Sequence, residues 1–65
     1  MYQINLFSTH FILLKDGKRS LEGNRGWVPH LLNVIFQRDS WVTVCFEGAE
    51  ECVEVTPENR SSYGL

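Results

Sequence analysis

Long apolar runs are missing from this sequence: the longest, Phe11–Leu14, has four residues. A bilayer-spanning helix needs about 20, so no membrane segment is expected. Nor does a basic residue precede that run, as a secretory signal would require. Cysteine is scarce. Cys45 and Cys52 are the two thiols of the chain, too few for the disulfide framework of a small secreted domain. The expectation is an intracellular protein, cytoplasmic or nuclear, with reduced thiols. Basic excess is missing too: the net charge is −2, whereas a sequence-independent nucleic-acid binder needs a net basic face. The spacing Gly17 to Gly23 surrounds a lysine, but no Gly-Lys-Ser/Thr ending follows, which excludes a phosphate loop.

Catalytic and metal constellations are equally absent. Cys45 and Cys52 are separated by six residues, which is not a zinc-knuckle spacing, and His10 and His30 are not spaced to complete one. No nucleophile–base pair and no carboxylate pair in an acid/base setting is readable. No enzyme activity, metal or cofactor is expected. Sixty-five residues make one domain, 1–65, near the lower limit for an unaided core.

What the chain does have is aromatics and an uneven charge. Hydrophobic residues make up 43% of the sequence and aromatics 12%, enough for collapse rather than disorder. Residues 1–39 carry Lys15, Lys18, Arg19, Arg25 and Arg38 against Asp16, Glu22 and Asp39, a balance of +2. Residues 40–65 carry Arg60 against Glu47, Glu50, Glu51, Glu54 and Glu58, a balance of −4. An acidic rim of that kind suits a cationic partner.

The clearest structural signal is Trp41–Val55, which alternates, turns at Gly48-Ala49 and alternates again. It predicts an antiparallel hairpin with Val42 opposite Val55, Val44 opposite Val53 and Cys45 opposite Cys52. The valines then share a face with Phe46, and Trp41, Thr43, Cys45, Cys52 and Glu54 share the other. A slip of one residue would exchange those faces, so the pattern sets the register. A disulfide between the facing cysteines is conceivable, but quietly packed thiols are the expected state.

Upstream, Tyr2, Ile4 and Leu6 alternate, Ser8-Thr9 interrupt, and Phe11–Leu14 follow: two short strands, or one bent near Ser8. If the first strand lacks a neighbour it is an apolar surface for a partner. Lys15–Gly26 holds two turn signals, Asp16-Gly17 and Gly23-Asn24, and reads as a long loop or loose hairpin. Trp27–Phe36 reads two ways. As a helix over about 29–37, Pro29 falls in the first turn, but Val28 is a poor N-cap and no glycine ends it. As a strand it gains from the β-branched and aromatic Val34–Phe36 and pairs with the next strand through a tight loop at Gln37–Asp39. The strand reading is preferred. Pro57, Glu58 and Asn59 predict one short helical turn.

In that order, Gly23, Arg25, Gly26, Trp27 and Pro29, then Asp39–Val44 with Phe46-Glu47-Gly48, resemble the second and third strands of a Tudor-superfamily barrel, of the agenet kind found in fragile X family proteins. Glu50-Glu51 and the turn at Pro57–Arg60 continue the resemblance, which spans residues 11–62 and leaves 1–10 as an extra strand or extension. The implied fold is all-β, a small five-stranded SH3-like barrel; the alternative is α+β, ββαββ, with a helix at about 29–37. The implied activity is recognition of a methylated lysine or arginine by a cage of aromatic rings. Phe46 falls at a cage position, whereas Val28 and Ala49 stand where the family has aromatics, so the implied cage is incomplete.

The expected function is therefore a small binding module that recognises a protein segment, cationic or methylated on Lys/Arg, at an aromatic-acidic pocket of Trp27, Trp41, Phe46, Glu47 and Glu50. A tryptophan at a strand start also serves to cap an open barrel end. One alternative is a phage- or plasmid-type regulator that blocks a host protein through its apolar N-terminal strand. Another is an RNA-contacting barrel using Lys15–Arg25 and the aromatics. The oligomeric state is not readable.

Overall fold

In the computed structural model, which describes residues 1–65, three strands come first: β1 (Tyr2–Leu6), β2 (His10–Lys15) and β3 (Lys18–Asn24). They form an antiparallel meander in which Ile4 faces Leu13, and Leu13 faces Leu21. The β2–β3 turn is two residues long, Asp16 and Gly17, both with positive φ (52° and 82°). That is the backbone of a type I′ turn, whose twist matches the flanking strands. Leu13 faces Leu21 while Leu14 faces Arg19, so Ser20 is the extra residue of a bulge.

A 3-10 turn at Arg25–Trp27 leads into helix α1, Val28–Ile35. This corrects the preference for a strand at residues 27–36. The buried residues Val28, Leu32 and Ile35 fall at i, i+4 and i+7, one stripe of a helix. Pro29 sits in the first turn, where its missing N–H has no intrahelical partner to lose. Topology supplies the other reason. After α1, strand β4 (Val42–Phe46) pairs with β1 in parallel, Ile4 beside Val44. Parallel neighbours cannot be joined by a tight turn, and a helix is the usual crossover. The chain leaves the β3 edge, crosses over the sheet as α1 and returns beside β1.

Strand β5 (Val53–Val55) closes the hairpin with β4 in the predicted register, Val42 facing Val55 and Val44 facing Val53. The sheet order is β3-β2-β1-β4-β5. β3 and β5 are its two edges, so the sheet is open and mixed, and the predicted barrel is not formed. The N-terminal segment, expected as an extra strand or an extension, is the central strand of the sheet, and with a neighbour on each side it does not meet the condition for a free apolar surface.

One face of the sheet carries Ile4, Leu6, Phe11, Leu13, Val42, Val44 and Val55, and α1 covers it with Val28, Leu32 and Ile35. These ten residues are the whole core, and no polar side chain is buried among them. The opposite face, with Gln3, Asn5, Ile12, Leu14, Thr43 and Cys45, is half-buried and has no covering element. There Cys45 and Cys52 are joined as a disulfide, so the expected reduced thiols are replaced by a cross-strand link. After β5, Thr56 and Asn59 bond reciprocally: the Thr56 N–H donates to Asn59 Oδ1 (2.8 Å) and the Asn59 N–H to Thr56 Oγ1 (3.2 Å). A 3-10 turn at Arg60–Tyr63 follows, ended by Gly64 at φ 74°. No helix is long and apolar enough to cross a membrane.

Candidate functional site

The buried stripe of α1 leaves the flank of the helix toward β3 uncovered. Leu21 of β3 is half exposed, as is Val34 of α1, and Trp27 at the helix entrance is 64% exposed. Together with Phe11, His30 and Leu31 they line one groove of about 510 Å³ between the helix and the β3 edge. Its continuation, about 320 Å³, shares Leu21, Leu31 and Val34 and runs on to Tyr2, Lys15 and Arg38. The groove is apolar for most of its length and charged where it ends.

Local chemistry sets this shape. Gly23 holds β3 against the floor: a Cβ there would stand 3.3 Å from the buried Phe11 ring. The Asn24 side chain accepts from the Gly26 N–H (3.0 Å), capping the 3-10 turn that delivers Trp27. The Arg25 N–H donates to the Thr9 carbonyl (3.2 Å), and its guanidinium to the Phe7 carbonyl (2.8 Å). Trp27 thus leaves a pinned backbone, its ring tilted against His30 at 5.5 Å.

The five residues expected to form one aromatic-acidic pocket are not brought together. Trp27 lines the groove at the β3 edge, and none of the other four does. Trp41 precedes β4 and Phe46 ends it, so they lie about 16 Å apart along the strand. By alternation they also point to opposite faces. Phe46 packs on the core and on Tyr63, ring centroids 6.2 Å apart, and Glu47 and Glu50 are exposed in the β4–β5 turn. The arrangement expected of a methyl-cation cage is not formed. The groove residues that the sequence reading missed are Leu21, His30, Leu31 and Val34. Leu21 alone gave a signal, as a large apolar residue in a charged, glycine-rich stretch.

Electrostatics divide the molecule by edge. Lys15 and Lys18 face each other across the β2–β3 turn, and Lys15 and Arg38 line the far end of the groove. The acidic residues Glu47, Glu50, Glu51, Glu54 and Glu58 lie in or around the β4–β5 hairpin at the other edge. Asp16, in the β2–β3 turn, accepts from the Met1 ammonium (2.7 Å), which holds its carboxyl below the ordinary value. No three His, Cys, Asp or Glu side chains are grouped to hold a metal ion. Comparison with protein-family models, with curated proteins and with solved structures finds no match to this chain.

Proposed function

We propose that this chain is a small non-enzymatic binding module that takes up an extended segment of a partner protein in the groove between α1 and β3. The observation that carries this is the convergence of Leu21, Trp27 and Val34, each half exposed or more, on one concavity beside an open sheet edge. Large apolar side chains scattered singly over a surface need no explanation, but a contiguous set lining a groove is the mark of an interaction site. An unpartnered strand next to it offers backbone hydrogen bonds, and the groove offers room for alternate side chains of an added strand. Of the expected ligand residues, Trp27 belongs to this site; separated rings give no support to methylated Lys/Arg as the ligand. A regulator that acts by blocking a host protein would use the same groove, since β1 is already paired on both sides.

The test is a titration of the Trp41→Phe variant, in which Trp27 is the remaining tryptophan, with an uncharged capped nonapeptide alternating Leu and Ser. The expected result is a change in Trp27 emission together with methyl shifts at Leu21, Leu31 and Val34. Shifts confined to Trp41, Phe46 or Tyr63 in the parent chain would move the site to the other edge.

A further inference from the structure

We infer that the segment taken up is acidic, and that it lies as an added strand along β3 with its carboxylates at the Lys15–Lys18–Arg38 end of the groove. This rests on the groove reading and specifies its ligand. Lys15 and Lys18 are directly opposed across the β2–β3 turn, an arrangement of like charges that weakens a sheet. Arg38 borders the same end. None of the three has a carboxylate within ion-pair distance; the two ion pairs of the molecule are Met1–Asp16 and Arg19–Glu22. The nearby acids are therefore engaged, apart from Asp39, which adjoins Arg38 and makes no ion pair. Five of the six glutamates stand at the opposite edge, and the sixth, Glu22, borders the groove but is paired with Arg19. Lys15 lies 5.9 Å over the Tyr2 ring, but a cluster of cations without ion pairs at the mouth of an apolar groove attracts carboxylates and repels a basic segment.

Other occupants fit less well. A second copy paired through β3 would bring its own Lys15 and Lys18 to an edge that already carries both. Charged edge residues and the bulge at Ser20 are devices that discourage such self-pairing. Single-stranded RNA also supplies negative charge, but it needs exposed rings on which bases stack. Here Phe11 is buried, and the exposed rings of the groove, Trp27 and His30, are set against each other with centroids 5.5 Å apart, one platform rather than the row that successive bases need. An extended peptide places every second side chain on one face, so the apolar residues that enter the groove between Leu21 and Val34 and the carboxylates that reach Lys15 and Arg38 at its end occupy alternate positions on that same face.

Three capped nonapeptides with leucine at positions 1, 3 and 5, serine at the even positions, and Glu, Ser or Lys at positions 7 and 9 of the same face decide the matter against the full chain, with oligo-uridine as a fourth probe. The Glu peptide is expected to bind about tenfold more tightly than the Ser peptide at low salt, with the gap narrowing as NaCl is added. The Lys peptide is weaker than both, β3 amides gain exchange protection, and Lys18→Glu with Arg38→Glu reverses the order. Equal binding of all three peptides, tighter binding of oligo-uridine, or protection of β3 by self-association in sedimentation equilibrium overturns this inference. If the Ser peptide still perturbs the Leu21, Leu31 and Val34 methyls, the groove reading survives that failure. Silence from all three peptides removes both.

Discussion

Arg60 shows how much of this small molecule is tied by single side chains. Its guanidinium donates to Asn33 Oδ1 (2.7 Å), to the Pro29 carbonyl (3.1 Å) and to the Leu65 carbonyl (2.9 and 3.1 Å), and lies 5.9 Å over the Phe36 ring. It therefore fastens the C-terminal turn to α1 from one half-buried position. Arg60→Ala is expected to cost about 2 kcal/mol, since several charge-assisted bonds go together. Urea unfolding would register it as a lower midpoint at unchanged slope, and Arg60→Lys would restore little because a lysine cannot reproduce the fork. Asp16 is a gentler case. Hydrogen bonding and attraction from the Met1 ammonium depress its carboxyl pKa, with a smaller lowering from Lys15. A depressed folded-state pKa stabilises the fold above the unfolded-state value and loses that contribution as pH falls through the folded one. Carboxyl NMR should thus find the Asp16 midpoint below the ordinary aspartate value, and acetylating the N-terminus should raise it. The group is fully exposed, so acid unfolding should shift only slightly. Asp16→Asn tests this without disturbing the turn, because asparagine accepts the positive φ.

The β4–β5 hairpin was legible in the sequence down to its register, because adjacent antiparallel strands write their pairing into local alternation. The meander β1–β2–β3 was legible in outline: Asp16-Gly17 announced a turn, although the hairpin it makes is tighter than a loose loop. Helix α1 was not, for a physical reason. Val34-Ile35-Phe36 favours a strand, and eight residues are too few for intrinsic propensity to settle the matter. What settles it is the parallel pairing of β4 with β1, a contact between segments some forty residues apart that no local pattern records. Packing then makes α1 indispensable. Leu32 is fully buried at the centre of its stripe, and Leu32→Ala should cost about 2–5 kcal/mol. In a chain of this size that is a large share of the stability, and far-UV circular dichroism should show helix and sheet lost together. The disulfide acts differently. It lies on the face away from the core and closes a loop with a sequence separation of 7, for which chain entropy predicts about 2.5 kcal/mol. Reduction should lower the melting temperature but leave the β-sheet signal in place at room temperature.

The whole molecule separates its charges between two edges, and the sequence carried that asymmetry correctly but not its meaning. The acidic half suggested a pocket for a cation; in three dimensions those glutamates border no groove, and the concavity lies at the basic edge. Trp27 was the one expected site residue found there, because position along a chain says little about which elements become neighbours across a helix. This distribution separates stability from binding in a way that can be measured. The core is the ten residues buried between α1 and the sheet, and neither Leu21 nor Val34 is among them. Both are half exposed, so Leu21→Lys and Val34→Lys should each change stability by no more than about 0.5 kcal/mol. Val34→Lys should even gain slightly in helix propensity. If the groove serves a partner, the same substitutions place a cation in its apolar floor and should weaken the Glu peptide by tenfold or more, roughly the loss expected when a buried apolar contact is replaced by a charge. Adding a cation at a basic groove would help a ligand held by charge alone, so reduced binding separates an apolar seat from a merely electrostatic one. Unchanged urea midpoints with lost binding would place the selection for Leu21 and Val34 in recognition, whereas lost stability would return them to the fold.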